Sequence, residues 1–347
     1  MKAPAGGGTS SGAQASGTNA RPNDDPPTND TLTVVPGVRV GHAGVPGGGS
    51  GCTVVTGPFR AAVQVAGSGS GTRELPTLEA GHSAGLADAI LLTGGSAFGL
   101  AAADGVMEVL EEEGFGHPTS AGRVPIVPGA VLFDLAPGRG RPGPAEGRQA
   151  TRTRSRAPVP SGQVGAGTGA TCGKLDGIGR ASPGGVGSAG RPGMVGGWAV
   201  GALAAVNAVG DVVGPEGRVV AGSGGSRRLG LDPAAVPRPP RPGENTTLCV
   251  VATDAPLGPG DLDRLARMAA TALPRCIDPV NTPVDGDVVF ACTTDPDAGR
   301  PRLDPGSMIA LGTAARRCLE AAILRAVGHD GLAPLTLSDD TPLHETP

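Results

Sequence analysis

The four residues Glu244-Asn245-Thr246-Thr247 stand where a Pro- and Gly-rich stretch gives way abruptly to the β-prone run Leu248-Cys249-Val250-Val251-Ala252-Thr253. A threonine placed there can serve as an N-terminal nucleophile once the chain cuts itself at Asn245–Thr246. Its freed α-amino group has a reference pKa near 8, so it can take the proton of its own hydroxyl without a histidine. Two plainer readings compete: a linker that simply meets a strand, and a formal Asn-Thr-Thr glycosylation sequon. Further along, Asp285-Gly286-Asp287 sets two carboxylates two apart, on one face if the segment is extended. A turn or a weak cation site is the alternative. Asn207 interrupts an apolar run, where an unpaired amide would be costly. It is either a satisfied core residue or an NH2 donor to an oxyanion. Lys174 is the one lysine besides Lys2 among 28 basic residues. An ammonium kept where arginine is otherwise used points to a place a guanidinium would not serve, or to chance at a surface position.

Other glycine-rich motifs fail their chemistry. In Val164–Leu175 (VGAGTGATCGKL), Thr168 stands where a Walker A loop needs its first glycine and Leu175 where it needs a hydroxyl. In Gly94-Gly95-Ser96-Ala97-Phe98-Gly99, Phe98 replaces the second glycine of a nucleophile elbow, which leaves a turn feeding a helix. The histidines (His42, His82, His117, His329, His344) sit in dissimilar contexts and none is given a catalytic role. The cysteines Cys52, Cys172, Cys249, Cys276, Cys292 and Cys318 form no CxxC pair, which argues against zinc and against a disulfide framework.

The elements that would position these residues emerge from a biased composition. The 61 Gly and 35 Pro make up about 28% of 347 residues, a range shared with low-complexity chains. Only 17% of residues are charged and the net charge is −4, so the strong self-repulsion of a disordered chain is missing. The same near-neutrality argues against a nucleic-acid partner. No apolar h-region opens the sequence and no apolar run of membrane-spanning length follows, so no membrane association and a cytoplasmic location are expected. Residues 1–30 read as a disordered tail. Short strands are expected around Val34–Val40, Val54/Val55 and Val63/Val65, a buried strand over 86–93, and a helix from Ala97 to Glu113. Residues 124–135 read as a buried strand pair and 138–163 as a solvated excursion. Residues 197–213 are apolar enough for a strand or a helix. A flexible linker over 222–244 precedes the β run. A helix over about 261–274 capped by Asp261, a strand over 287–293 and a helix from Ser307 to Ala326 complete the chain.

Seven segments in order resemble the self-processing aminopeptidase family, which includes L-aminopeptidase/D-esterase, the β-peptidyl aminopeptidases and the nylon-oligomer hydrolase. They are Pro36-Gly37-Val38-Arg39-Val40-Gly41-His42, Gly71-Thr72-Arg73-Glu74, Thr93–Leu100, Val164–Gly169, Ala205–Asp211, Asn245-Thr246-Thr247 and Asp285–Ala291. The resemblance runs from about Val34 to Val327. It implies an α/β (α+β) fold, a four-layer αββα sandwich of the N-terminal-nucleophile type, cut into a long chain (31–245 after the tail) and a short chain (246–347). By that likeness Thr246 matches the nucleophile, Asn207 the oxyanion-stabilising asparagine, Lys174 a lysine near the nucleophile, and Asp285 and Asp287 an acidic pair. Phe133 stands where several members carry a tyrosine, and Asn281 where a histidine is expected.

The expected activity is hydrolysis of small peptides or related amides from their N-terminal side, after self-cleavage at Asn245–Thr246. Phe133, Gly94, Gly95 and Ser96 are expected to shape the substrate side. No metal and no organic cofactor are expected, and the likeness implies a homo-oligomer of processed protomers. Two alternatives stand beside this: acyl transfer to an amine in the manner of ornithine acetyltransferase, and a non-catalytic anion-binding protein that stays uncut.

Overall fold

The computed structural model describes Met1 and residues 29–79, 86–193, 195–229, 243–295 and 303–330. Most of the expected tail, the linker between 230 and 242, His82 and His344 lie outside the described residues. Nine strands form one mixed sheet: β1 (Arg39–Gly44), β2 (Gly51–Val65), β3 (Gly71–Arg73), β4 (Leu86–Thr93), β5 (Gly129–Val131), β6 (Gly185–Arg191), β7 (Val200–Asn207), β8 (Thr246–Thr253) and β9 (Val288–Thr293). Their spatial order is β6-β7-β8-β9-β2-β4-β5-β3, with β1 paired to β2. Five helices accompany them: α1 (Ala102–Glu112), α2 (Pro144–Arg152), α3 (Pro259–Ala270), α4 (Leu273–Cys276) and α5 (Pro305–Ala326).

Strand alternation divides the apolar residues into three seams, and three seams make four layers. Ala202 and Ala204 of β7, Cys249 and Val251 of β8, and Val289 and Ala291 of β9 face Leu262, Leu265, Leu311, Leu319 and their neighbours on α3 and α5. The opposite faces of the same strands carry Leu203, Leu248, Val250 and Phe290. These meet Val55, Phe59, Ile90, Leu92 and Leu132 in a seam between two halves of the sheet. The far side of the second half packs Val54, Ala89 and Leu91 against Val106 and Leu110 of α1 and Ala150 of α2. The result is the expected αββα sandwich.

One strand joins the two sheet halves. Cys52–Arg60 of β2 pairs with β4 and Arg60–Val65 pairs with β9. A register shift between Thr56 and Phe59 bends the strand at Gly57-Pro58, where proline's missing N–H is tolerated. The two short strands expected near Val54 and Val63 are therefore one continuous strand. Only Gly129–Val131 of the expected pair over 124–135 joins the large sheet, while Gly122–Val124 pairs with His117–Thr119 in a separate hairpin. Residues 200–207 resolve the ambiguity of 197–213 in favour of a strand.

The excursion over 138–163 contains a helix that periodicity does not announce. α2 meets α1 through backbone: a Cβ on Gly147 would lie 1.9 Å from the Ala102 carbonyl oxygen, and one on Gly105 equally close to that of Pro144. The ion pairs Arg148–Glu108, Arg152–Glu112 and Arg154–Glu113 flank this contact. The buried face of α2 is Gly147, Ala150 and Thr151, spaced as a helix requires but without a large apolar side chain to mark it in the sequence. A second correction concerns α3: Gly258 holds the N-cap position and Asp261 is buried within the first turn. No helix among the described residues is long and apolar enough to cross a membrane, and all six cysteines are buried and unpaired.

Candidate active site

Cross-strand pairing creates the site. Asn207, the last residue of β7, lies directly opposite Thr246, the first of β8, in the antiparallel register. Both carry the parity of the seam between the sheet halves, so both side chains belong to the interior. Thr246 is 2% exposed and its hydroxyl donates to the carbonyl oxygen of Asn245, in contact with the peptide that precedes it. Asn245 is fully buried, and its carbonyl also accepts the Gly286 N–H at 2.8 Å.

On one side of this junction stand Asn207 and Lys174. The Asn207 Oδ1 accepts from the Thr171 N–H and from Lys174 Nζ, each at 3.0 Å. Its Nδ2 donates to the Phe133 carbonyl at 3.0 Å and to the Glu244 carbonyl at 3.4 Å. With two donors on the oxygen and two carbonyls on the nitrogen, the amide has one orientation. Lys174 Nζ donates to the Asn207 carbonyl at 3.0 Å and the Glu244 carbonyl at 3.5 Å as well. Burial lowers its pKa to about 8, against the opposing pull of Cys172, Asp285, Glu244 and Asp134. Its loop is zipped to the chain just after Asn207, since the Gly173 and Lys174 N–H groups donate to the carbonyls of Gly210 and Val209 at 2.8 and 2.7 Å.

On the other side stand the two aspartates. Asp287 Oδ1 accepts the Thr247 N–H at 2.6 Å and Oδ2 the Asn281 N–H at 3.2 Å. Burial, and then the charge of Asp285, raises its pKa to about 7. Asp285 accepts from Val209 N–H at 3.4 Å and from both the N–H and the hydroxyl of Thr282, and burial likewise raises its pKa. The expectation of one carboxylate face is met only in part. Both groups are buried behind the junction, but they bind different backbone amides.

A cavity of about 890 Å3 opens beside the junction, lined among others by Lys174, Glu244, Phe133, Thr171, Asp134 and Ile178. Phe133 is half-buried in this wall, and its carbonyl is the part that touches Asn207. Gly94, Gly95 and Ser96 stand behind the wall. The Gly95 N–H donates to Asp134 Oδ1 at 2.7 Å and the Ser96 N–H to the Leu132 carbonyl at 3.0 Å. They brace the segment after β5 that carries Phe133 and act on the cavity through it. Asn281 faces Asp287 with its backbone amide and holds φ 55°, a left-handed conformation that asparagine adopts more readily than most residues.

Three further participants are not among the expected site residues. Glu244 and Gly286 contribute backbone groups to the junction. Asp211, fully buried, accepts from the Gly224 N–H at 3.2 Å and from the N–H and hydroxyl of Ser226 at 3.0 and 2.7 Å. It ties the residues before the linker to the Lys174 loop. All three lie in segments that the sequence singles out, Glu244-Asn245-Thr246-Thr247, Ala205–Asp211 and Asp285–Ala291, but none of them is marked there as a site residue.

The model of Peptidase family S58 matches residues 30–330. An uncharacterized aminopeptidase of Mycobacterium tuberculosis (strain ATCC 25618 / H37Rv) is 40% identical over 329 residues, spanning 86% of this chain and 93% of its own length. The 6-aminohexanoate-oligomer endohydrolase of Paenarthrobacter ureafaciens is 32% identical over 311 residues, with 84% of each chain covered. The L-aminopeptidase D-Ala-esterase/amidase of Ochrobactrum anthropi, described as a variant of the Ntn hydrolase fold, superposes with a TM-score of 0.68 at 24% identity over 86% of this chain and 85% of its own. A match that takes in every strand of the large sheet leaves one assignment: the chain belongs to Peptidase family S58 and is a peptide or amide hydrolase on an Ntn-hydrolase fold.

Proposed function

We propose that the chain is a self-processing amide hydrolase that cuts itself at Asn245–Thr246 and then uses Thr246 as an N-terminal nucleophile against small peptides or related amides. The observation that carries this reading is the contact of the buried Thr246 hydroxyl with the Asn245 carbonyl, at a strand end directly opposite Asn207. In maturation the hydroxyl attacks that carbonyl and water opens the resulting ester. In turnover the same hydroxyl attacks the substrate carbonyl, with the freed Thr246 amine as its base. Lys174 Nζ and Asn207 Nδ2 already cradle one main-chain carbonyl, that of Glu244. When residues preceding Thr246 withdraw, a substrate carbonyl takes that place and the Asn207 amide stabilises its oxyanion. Lys174 tunes the nucleophile by its charge, and Asp285 and Asp287 fix the backbone around it. Likeness to an aminopeptidase and to a hydrolase of 6-aminohexanoate oligomers supports an amide substrate with a free amino end. We further propose that processed protomers associate as a homo-oligomer.

Intact mass tests the reading. The purified wild type should run as two fragments meeting at Asn245/Thr246, and Thr246→Ala as a single uncut chain of 33.8 kDa without hydrolase activity. A wild type that stays whole for days under native conditions, yet hydrolyses amides, overturns it.

A further inference from the structure

The scissile carbonyl and the carbonyl one residue earlier are held by different donors. Asn207 Nδ2 and Lys174 Nζ reach the Glu244 oxygen. The Asn245 oxygen, where negative charge develops during self-cleavage, receives the Gly286 N–H at 2.8 Å and the Thr246 hydroxyl. The peptide unit that carries this N–H is bonded at both ends. Its carbonyl, that of Asp285, accepts the Gly69 N–H at 2.8 Å, and the bridge between Asn245 and Asp285 sets its direction. The site also requires a residue without a side chain: a Cβ at position 286 would lie 2.9 Å from the Thr246 hydroxyl and 2.8 Å from the Gly69 carbonyl. A donor fixed in place before charge appears is the arrangement that stabilises an oxyanion without reorganisation.

We propose that the Gly286 backbone N–H is the oxyanion donor for self-cleavage, and that the Asn207 amide serves turnover instead. The inference rests on the self-processing reading. In the first step the Thr246 Oγ–C bond forms at the Asn245 carbonyl and the C–N bond to Thr246 breaks. The hydroxyl proton passes to the departing nitrogen, which leaves an ester and a free amine. Water then opens the ester, its hydroxyl going to the Asn245 carboxyl and its proton to Thr246 Oγ. Throughout the first step the charge on the Asn245 oxygen faces Gly286. Asn207 comes into play once the Glu244 carbonyl leaves its amide.

Two full-length variants separate the donors. Replacing Gly286 by glycolate through nonsense suppression in cell-free translation swaps one N–H for an ester oxygen. It should slow self-cleavage roughly 10²–10³-fold. Asn207→Asp keeps the Oδ1 acceptor for Thr171 and Lys174 but removes the Nδ2 donor. It should still cut itself within about tenfold of wild type, while kcat of the matured protein falls roughly 10²–10³-fold. A glycolate chain that cuts at the wild-type rate, or an Asn207→Asp chain with the wild-type circular dichroism spectrum that stays whole, overturns the division of labour. A wild type that never cuts defeats the parent reading instead, so the two failures are distinct.

Discussion

The two walls of the junction hold the same backbone with opposite chemistry. Asn207 and Lys174 are donors that grip carbonyls, those of Phe133 and Glu244 among them. Asp285 and Asp287 are acceptors that grip amides, those of Val209, Thr247 and Asn281. Neither wall alone satisfies a peptide chain, because each buried residue brings one donor and one acceptor that both need partners. Together they hold the Glu244 carbonyl and the Thr247 N–H, the main-chain groups on either side of the Asn245–Thr246 peptide. The walls also titrate towards each other. Burial lowers the Lys174 pKa to about 8 and raises that of Asp287 to about 7. Asp287 therefore gains its charge over the same part of the pH scale in which Lys174 begins to lose its own.

Removing the cation should break the comparison hardest. Lys174→Met leaves the Asn207 and Glu244 carbonyls without their ammonium partner, and self-cleavage should fall by on the order of 100-fold. The uncut chain has no Thr246 amine, and Lys174 is the cation at the junction whose pKa burial brings to about 8. The wild-type rate, followed by intact mass, should decline as pH rises through about 8, whereas Lys174→Met should show no inflection there. An unchanged inflection in the variant would assign it elsewhere.

Asp287→Asn should have a smaller effect, on stability, with a defined sign. The folded pKa of about 7 lies above the unfolded value near 3.8. The stabilisation is therefore complete below about pH 4 and is lost as pH rises to about 7. Lys174 works the other way: its folded value of about 8 lies below 10.5, so stability returns as pH climbs from about 8 to 10. Urea unfolding of wild type should show a trough between about pH 7 and 8. In Asp287→Asn the decline from pH 4 to 7 should shrink by more than about 1 kcal/mol. A parallel decline in both proteins refutes the assignment.

Phe133→Tyr should do least. The residue lines the cavity and meets Asn207 with its carbonyl, which the substitution keeps, so self-cleavage should be unchanged. kcat/KM across a panel of short peptides and ω-amino amides should shift by less than about tenfold. A loss of self-cleavage would show that the ring, and not only the backbone, positions the first wall.

Much of the sandwich was legible because its central strands are buried on both faces and read as continuous apolar runs, as in Leu248–Thr253. Asn207, Lys174, Thr246 and the aspartate pair were legible because each breaks a local pattern: a polar residue in an apolar run, a lysine among arginines, a threonine at a linker's end. What stayed hidden works through backbone. α2 packs by glycine contact, and its buried face of Gly147, Ala150 and Thr151 has no large apolar residue to announce it. Glu244 and Gly286 act through a carbonyl and an amide that every residue type possesses. The capping role expected of Asp261 failed for a related reason: α3 begins two residues earlier, at Pro259, a residue preorganised for a first turn.

The spatial order β7-β8-β9-β2 has a consequence for what a severed chain would be. β8 and β9 follow the junction, whereas β7 and β2, on either side of them, precede it. A cut before Thr246 would thus leave the short fragment threaded into the middle of the long fragment's sheet, with α3 and α5 fastened over it. Dissociation would mean tearing two strand ladders and opening two apolar seams at once. Such fragments should copurify in equal amounts at any dilution and part only in denaturant. After separation, neither should regain a fold without the other, so the molecule would spend its single covalent continuity on assembly and not need it again.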